Sequence, residues 1–322
     1  MYLAEARFLI IFLQRGYENL QTRVNRSGRD EVLISIFNYV LIALICLTVL
    51  FPILNIFALA FNSGSDAQRG GIYIWPRMWT LQNFGEVFEQ SHMANGFLIS
   101  IARTVLGTFL SLLLTSLAAY ALTSKTLPGS RVIAFGIFFT MLFSGGIIPF
   151  YLVLKEVHLT NTFWVYIIPN LYNVWNIMVV RTFFQQVPDA LEEAARLDGL
   201  NDFGILFRVI LPLSKPVLAT IALFTMVYHW NDWFSGSFFV RDASLRPAST
   251  LLQQMLTTQE ALSNTLMRSA GQLNFDMIAR VHITGDSLKM ATIVLVVLPI
   301  LLVFPFVQKH FSKGVTAGAL KE

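Results

Sequence analysis

Charge is what this 322-residue chain is shortest of. Asp, Glu, Lys and Arg supply 13% of it, against roughly 25% in an ordinary soluble domain. Hydrophobic residues supply 55%, and the mean hydropathy is +0.61. That balance excludes a disordered chain, a nucleic-acid module and an ordinary cytosolic enzyme. The single cysteine, Cys46, can form neither an internal disulfide nor a thiolate metal site; inside an apolar run it reads as a small buried hydrophobe. No G-x-x-x-x-G-K-[ST] run is present, so ATP cannot be held in the P-loop manner. His229 has only Asp232 as a close acidic neighbour, short of the ligands that zinc needs. Glu192 and Glu193 are adjacent rather than opposed, and no Ser/His/Asp motif occurs. No metal site, resident cofactor or catalytic residue is therefore expected.

What is present is a series of long apolar runs. A helix needs about 20 mostly apolar residues to cross the hydrocarbon layer, and six stretches offer them: residues 36–61, 97–122, 132–154, 163–184, 217–240 and 288–307. The predicted fold is an all-α polytopic membrane protein with six transmembrane helices in one domain, residues 32–308. Prolines inside spans, such as Pro52, Pro149, Pro169 and Pro299, predict kinks. The apolar piece Phe8 to Leu13 is too short for a signal peptide and lacks a cleavage pattern. Residues 1–31 instead read as an amphipathic cytosolic segment, and 309–322 as a cytosolic tail. With both termini inside, the inner segments carry fourteen Lys and Arg and the outer ones seven, which agrees with the positive-inside bias. The basic balance then needs no nucleic acid to explain it. The outer connection 241–287 is long for a loop and starts with an amphipathic helix after Pro247. It reads either as a docking surface or as a cap over the helices.

The inner connection 188–212 does not look like a plain linker. Pro188 fixes its start, Asp189 with Glu192 makes a capping-box-like pair, alanines favour helix, and Gly199 supplies a stop. Asn201 or Asp202 can cap a second short helix running to Ile210. Ala194 and Ala195 let another surface approach closely, and Glu193 offers a charge to a partner.

Glu193-Ala194-Ala195, then Asp198-Gly199, then Val209 and Leu211-Pro212 resemble the EAA motif of ABC-importer permeases; Val209 stands where isoleucine is usual. Leu117-Ala118-Ala119-Tyr120-Ala121-Leu122, Phe143-Ser144-Gly145-Gly146, Trp230-Asn231-Asp232-Trp233 and the tail from Lys309 to Gly314 are similar to those of maltose-type carbohydrate-uptake permeases. The Ser-Gly-Gly stretch points to the subgroup handling complex oligosaccharides such as pectin or alginate fragments. The likeness covers roughly residues 33–322 and leaves 1–30 unassigned. It implies a type I importer fold in which residues 188–212 couple to one of two separate ATPase subunits, which hold ATP and Mg²⁺. It also implies a second, similar permease as heterodimer partner and an extracytoplasmic solute-binding protein that delivers the sugar. The C-terminal tail would also reach the ATPase pair.

Polar and aromatic residues within spans tend to face a cavity or another helix. The fourth span holds Asn170, Tyr172, Asn173, Trp175 and Asn176, and the fifth holds Tyr228, His229, Trp230, Asn231, Asp232 and Trp233. On continuous helices Tyr172, Trp175 and Asn176 would share one face, and His229, Asp232 and Trp233 another. Amides suit sugar hydroxyls and aromatic rings suit sugar C–H faces, so both clusters are candidates for a translocation path. The alternatives are interhelical bonding and an interfacial aromatic belt. Asp232 is expected to bond His229 or cap a broken helix. Apart from Asp232 and Arg103, the spans lack the paired charges of ion-driven transport. A secondary transporter, a membrane-embedded enzyme and a permease for another small solute stand as the rival readings.

Overall fold

In lipid a backbone can satisfy its own hydrogen bonds only as a helix or a closed barrel, and the computed structural model of this chain is helical. It describes residues 29–67, 69–89, 92–124, 127–268, 286–303 and 305. Among these the only β pairing is an isolated bridge between Asn62 and Trp79. The segments 1–28 and 306–322, and with them most of the expected N-terminal segment and the whole expected tail, lie outside the described residues.

Residues 92–251 form one unit, and residues 29–91 with 252–305 form another. The second contains α1 (Arg29–Ala60), a helix of 32 residues with Pro52 inside it. Leu33, Phe37, Leu44 and Leu47 stand exposed along it, as expected of a helix whose surroundings are hydrocarbon. A loop and α2 (Gln82–Glu89) follow.

The other unit is organised by α3 (Met93–Thr123). Its buried positions Gly96, Ser100, Arg103, Gly107 and Ser111 recur at helical spacing, so one face is small or polar and admits neighbouring helices closely. Leu98, Ile101, Val105 and Phe109 are exposed on it. Around α3 come α4 (Ser130–Leu142), α5 (Ile147–Glu156), two 3-10 turns (Phe163–Tyr166 and Ile168–Asn170) and α6 (Val174–Phe184). The inner connection forms α7 (Asp189–Leu197) and α8 (Asp202–Ile205), a π turn at Leu206–Ile210 and a last turn at Leu211–Leu213. Then follow α9 (Lys215–Asn231), α10 (Phe234–Phe239) and α11 (Ala248–Arg268); α11 from Leu252 onward and α12 (Asp286–Val303) belong to the unit that contains α1. α3 packs chiefly on α9 and α6.

Among the described residues, up to six segments are apolar and long enough to cross a membrane when each bent pair counts as one, but the breaks depart from the continuous spans read from sequence. Residues 132–154 form α4 and α5, bent by 116°. The corner holds Gly146 at φ +84°, a conformation that L side chains rarely adopt. Residues 163–184 bend by 47° where the 3-10 turns meet α6, so Tyr172 and Asn173 precede the helix rather than lie on it. Residues 217–240 are interrupted after Asn231. In 241–287 the helix expected after Pro247 is present as α11, from Ala248 to Arg268.

Candidate functional site: a surface connection and an intramembrane knot

The connection between α6 and α9 is built to be rigid. α7 ends in a complete Schellman arrangement: Leu200 N–H donates to the Ala195 carbonyl (3.0 Å), and Gly199 N–H to that of Arg196 (3.0 Å). That motif needs a left-handed residue, and Gly199 has φ +82°. Asn201 caps α8, its Oδ1 accepting from Gly204 N–H at 2.8 Å. At the other end, Pro188 occupies the N-cap and makes no side-chain cap bond. Asp189 is thus the first helical residue rather than the cap, and it favours the helix by its charge at the positive end of the dipole.

Beneath α7 and α8 sits an apolar core of Ala119, Val180, Phe184, Ala195, Ile205, Leu206, Ile210, Val217 and Ile221. It joins the connection to α3, α6 and α9. Ala195 is spent in this core, a correction to its expected place on the outer surface. Glu193, Ala194, Asp198, Gly199 and Pro212 do face outward, while Leu211 is half-buried. The outward face is also apolar beyond what the motif required: Leu197 is 89% exposed, and Leu191, Phe203 and Phe207 are exposed as well. A groove of about 490 Å³ lined by Tyr120, Phe203, Leu206, Leu117 and Pro128 opens beside it. The Arg196–Asp202 pair (2.6 Å) ties α7 to α8 at the surface, where it contributes little. Its bond to Asp202 pushes the Arg196 guanidinium pKa further up.

Within the spans, Arg103 of α3 is completely buried. Its Nη2 donates to the Trp230 carbonyl (3.3 Å) and to Ser249 Oγ (3.0 Å). Its Nη1 lies 3.6 Å from Asp232 Oδ2, and its guanidinium sits 5.1 Å from the centre of the Tyr166 ring. Asp232 Oδ1 accepts from Ser235 N–H at 3.1 Å, capping α10 after the break. Ser249 Oγ donates to the Asp232 carbonyl (3.2 Å) and Thr250 Oγ1 to that of Trp233 (3.0 Å). The carbonyls that the interruption frees are thereby collected by one arginine and the first turn of α11. Asp232 caps a broken helix, one of its two expected roles. His229 does not share a face with Asp232 and Trp233, because α9 ends at Asn231.

His229 is buried over Gly107: a Cβ built on that glycine would lie 2.4 Å from His229 Nε2. Gly107→Ala is accordingly expected to destabilise the subunit by about 1–3 kcal/mol through overpacking, read as a lower midpoint of thermal unfolding in detergent. His229→Ala in the same chain should restore most of the loss.

The expected path residues divide by exposure. Tyr172, Asn173, Trp175, Tyr228, Asn231 and Trp233 are exposed, whereas Asn176, His229 and the Asp232 carboxylate are turned into the packing. Asn173 caps α6, accepting from Asn176 N–H at 3.0 Å. Asn170 accepts from Tyr228 Oη at 2.9 Å. Trp175 meets Phe224 at 6.0 Å, and Phe224 lies one helical turn before Tyr228. An exposed strip of rings and amides therefore runs Trp175, Phe224, Tyr228, Asn170. Sequence reasoning missed Phe224, although its position four residues before Tyr228 carried the signal.

Residues 120–317 match the family described as binding-protein-dependent transport system inner membrane component. The polygalacturonan/rhamnogalacturonan transport system permease protein YtcP of Bacillus subtilis is 35% identical over 279 residues, 87% of this chain and 94% of that one. Protein LplC of the same organism is 37% identical over 270 residues, 84% of this chain and 88% of that one. Among solved structures, a chain of a bacterial ABC transporter involved in import of the acidic polysaccharide alginate superposes with a TM-score of 0.77 at 29% identity. That match covers 88% of this chain and 99% of the other.

Proposed function

This chain belongs to the family of binding-protein-dependent transport system inner membrane components, and we propose that its solute is an oligosaccharide released from an acidic polysaccharide. It is a membrane-spanning permease subunit of an ABC importer. The observation that carries the mechanism is the rigid connection between α6 and α9: a doubly capped helical pair, rooted in a core shared with three spans, with Glu193, Ala194, Leu197 and Gly199 presented outward. A motion imposed on such an element shifts the spans, whereas a flexible loop would absorb it. The element that imposes it is an ATPase subunit, which holds ATP and Mg²⁺ and docks over α7 and α8. A second permease completes the pathway, and a solute-binding protein loads it from outside. This chain itself catalyses nothing. Both termini face the cytoplasm of a bacterial cell, the orientation that the Lys and Arg distribution supports. Tyr172, Trp175, Phe224, Tyr228 and Asn170 line the path, with rings against sugar C–H faces and amides against hydroxyls. The nature of the solute is supported by the polysaccharides named for YtcP and for the alginate importer.

The test is uptake of labelled oligogalacturonides into vesicles carrying the assembled transporter. Uptake is expected only with the binding protein present and ATP on the ATPase side. Uptake driven by an ion gradient without ATP would overturn the coupling mechanism. ATP-driven uptake of neutral maltodextrins alone would overturn the proposed solute.

A further inference from the structure

The segment between α1 and α2 presents an apolar surface that the transport mechanism leaves unused. Its interior is a polar scaffold. Asn62 is fully buried; its Oδ1 accepts from Met78 N–H (2.8 Å) and its Nδ2 donates to Asp66 Oδ2 (3.2 Å). Asn83 Nδ2 donates to the carbonyls of Ala60 (2.8 Å) and Asn62 (2.9 Å). Arg77 turns inward onto Asp66 at 3.1 Å and onto the Gly70 carbonyl at 2.7 Å. Arg77 is the one charged residue of 70–81, and it is paired in this way while its side chain stays half-exposed. What the scaffold holds outward is Tyr73, Ile74, Trp75, Met78, Trp79 and Leu81, with Trp75 71% and Trp79 59% exposed and their rings edge to face at 5.3 Å.

Its level relative to α1 identifies what covers it. Asn55 Nδ2 donates to the carbonyls of Ile72 (2.8 Å) and Tyr73 (3.1 Å). Asn55 precedes the end of α1 at Ala60 by more than one turn, roughly 7 Å along the axis. The segment thus folds back alongside the transmembrane helix instead of standing away from it. Low in charge, rich in indole and tied beside the last turns of α1 at Asn55, this surface has the chemistry of the headgroup boundary, where Trp and Tyr place an apolar body in lipid and a polar edge in water. We propose that residues 73–81 form an interfacial anchor embedded in the lipid headgroup region beside α1, fixing that helix in depth.

With one native cysteine, the chain is readily probed. In a Cys46→Ser background, nitroxides would be placed by Trp75→Cys, by Trp79→Cys and, as a reference, by Ser65→Cys. The assembled transporter would sit in phosphatidylethanolamine/phosphatidylglycerol vesicles. Collision with oxygen against a water-soluble nickel chelate should place positions 75 and 79 about 5–10 Å into the headgroup and acyl boundary, and position 65 in water. Equal exposure of all three to the chelate would overturn the proposal. So would protection of 75 and 79 that arises only when the binding protein is added, which would make the surface a protein dock. The native side chains give an independent reading: quenching by shallow-brominated lipid should fall in Trp75→Phe/Trp79→Phe, and unchanged quenching would count against the anchor.

Discussion

Gly199→Asp is expected to abolish uptake while leaving the subunit inserted in the membrane. A non-glycine residue in the left-handed region costs about 1–2 kcal/mol, and Asp and Asn tolerate it better than most. A Cβ at Gly199 meets nothing within 4 Å in this chain, so the fold accommodates the change. The new carboxylate, however, stands beside Asp198 on the outward face that we propose meets the ATPase. Burying an unpaired carboxylate in a packed contact costs several kcal/mol, so ATPase affinity should drop by about a hundredfold or more. Gly199→Asn separates the causes, since it imposes similar backbone strain without charge and should retain most uptake. Equal loss in both variants would assign the effect to the helix stop; normal uptake and normal ATPase stimulation in Gly199→Asp would remove the site from the coupling surface altogether.

The second large effect is expected at Arg103. Arg103→Met leaves the Asp232 carboxylate in the interior of the spans with only Ser235 N–H to support it, and breaking a buried pair by removing one partner costs about 3–5 kcal/mol. The freed Trp230 carbonyl adds to that loss. Recovery of assembled transporter from detergent should collapse. Asp232→Asn should be milder, because its amide oxygen can still cap α10. In the double variant Arg103→Met/Asp232→Asn the two losses should not add, leaving a coupling energy of about 0.5–3 kcal/mol in a thermodynamic cycle. Strict additivity would show that the two groups act independently.

The contrast between these two sites explains what the sequence could disclose. The connection at 188–212 is local: proline, alanines, glycine and Asn201 act on their neighbours, so its helix, its stop and the cap at Asn201 were legible. Ala195 was misassigned to the outer surface because only packing decides which of two adjacent alanines meets the core. The spans were legible from hydropathy, since lipid forces each run into helix. Their interruptions were not, because a Pro, Gly or Asn within a span signals either a kink or a full break, and surrounding helices choose between them. Arg103 was visible as a charge out of place, but its grip on Asp232, Trp230 and Ser249 joins residues more than a hundred positions apart. The shared-face argument for Tyr172, Trp175 and Asn176 failed for the same reason: it assumed a continuous helix where α6 begins only at Val174.

The corner at Ser214 gives these two sites a mechanical relation. The axis of the surface connection and that of α9 meet there at 85°, and α9 runs for 17 residues from the corner to Asn231. A push along the connection is therefore turned into a tilt of a stiff rod. Tilting it by about 10° carries the far end sideways by roughly 4 Å over a length of about 25 Å. That far end is where Arg103 holds the Trp230 carbonyl, so the rod that we propose is driven from the connection is tethered at its other end. Under the proposed coupling, a displacement of that size must strain or release the tether.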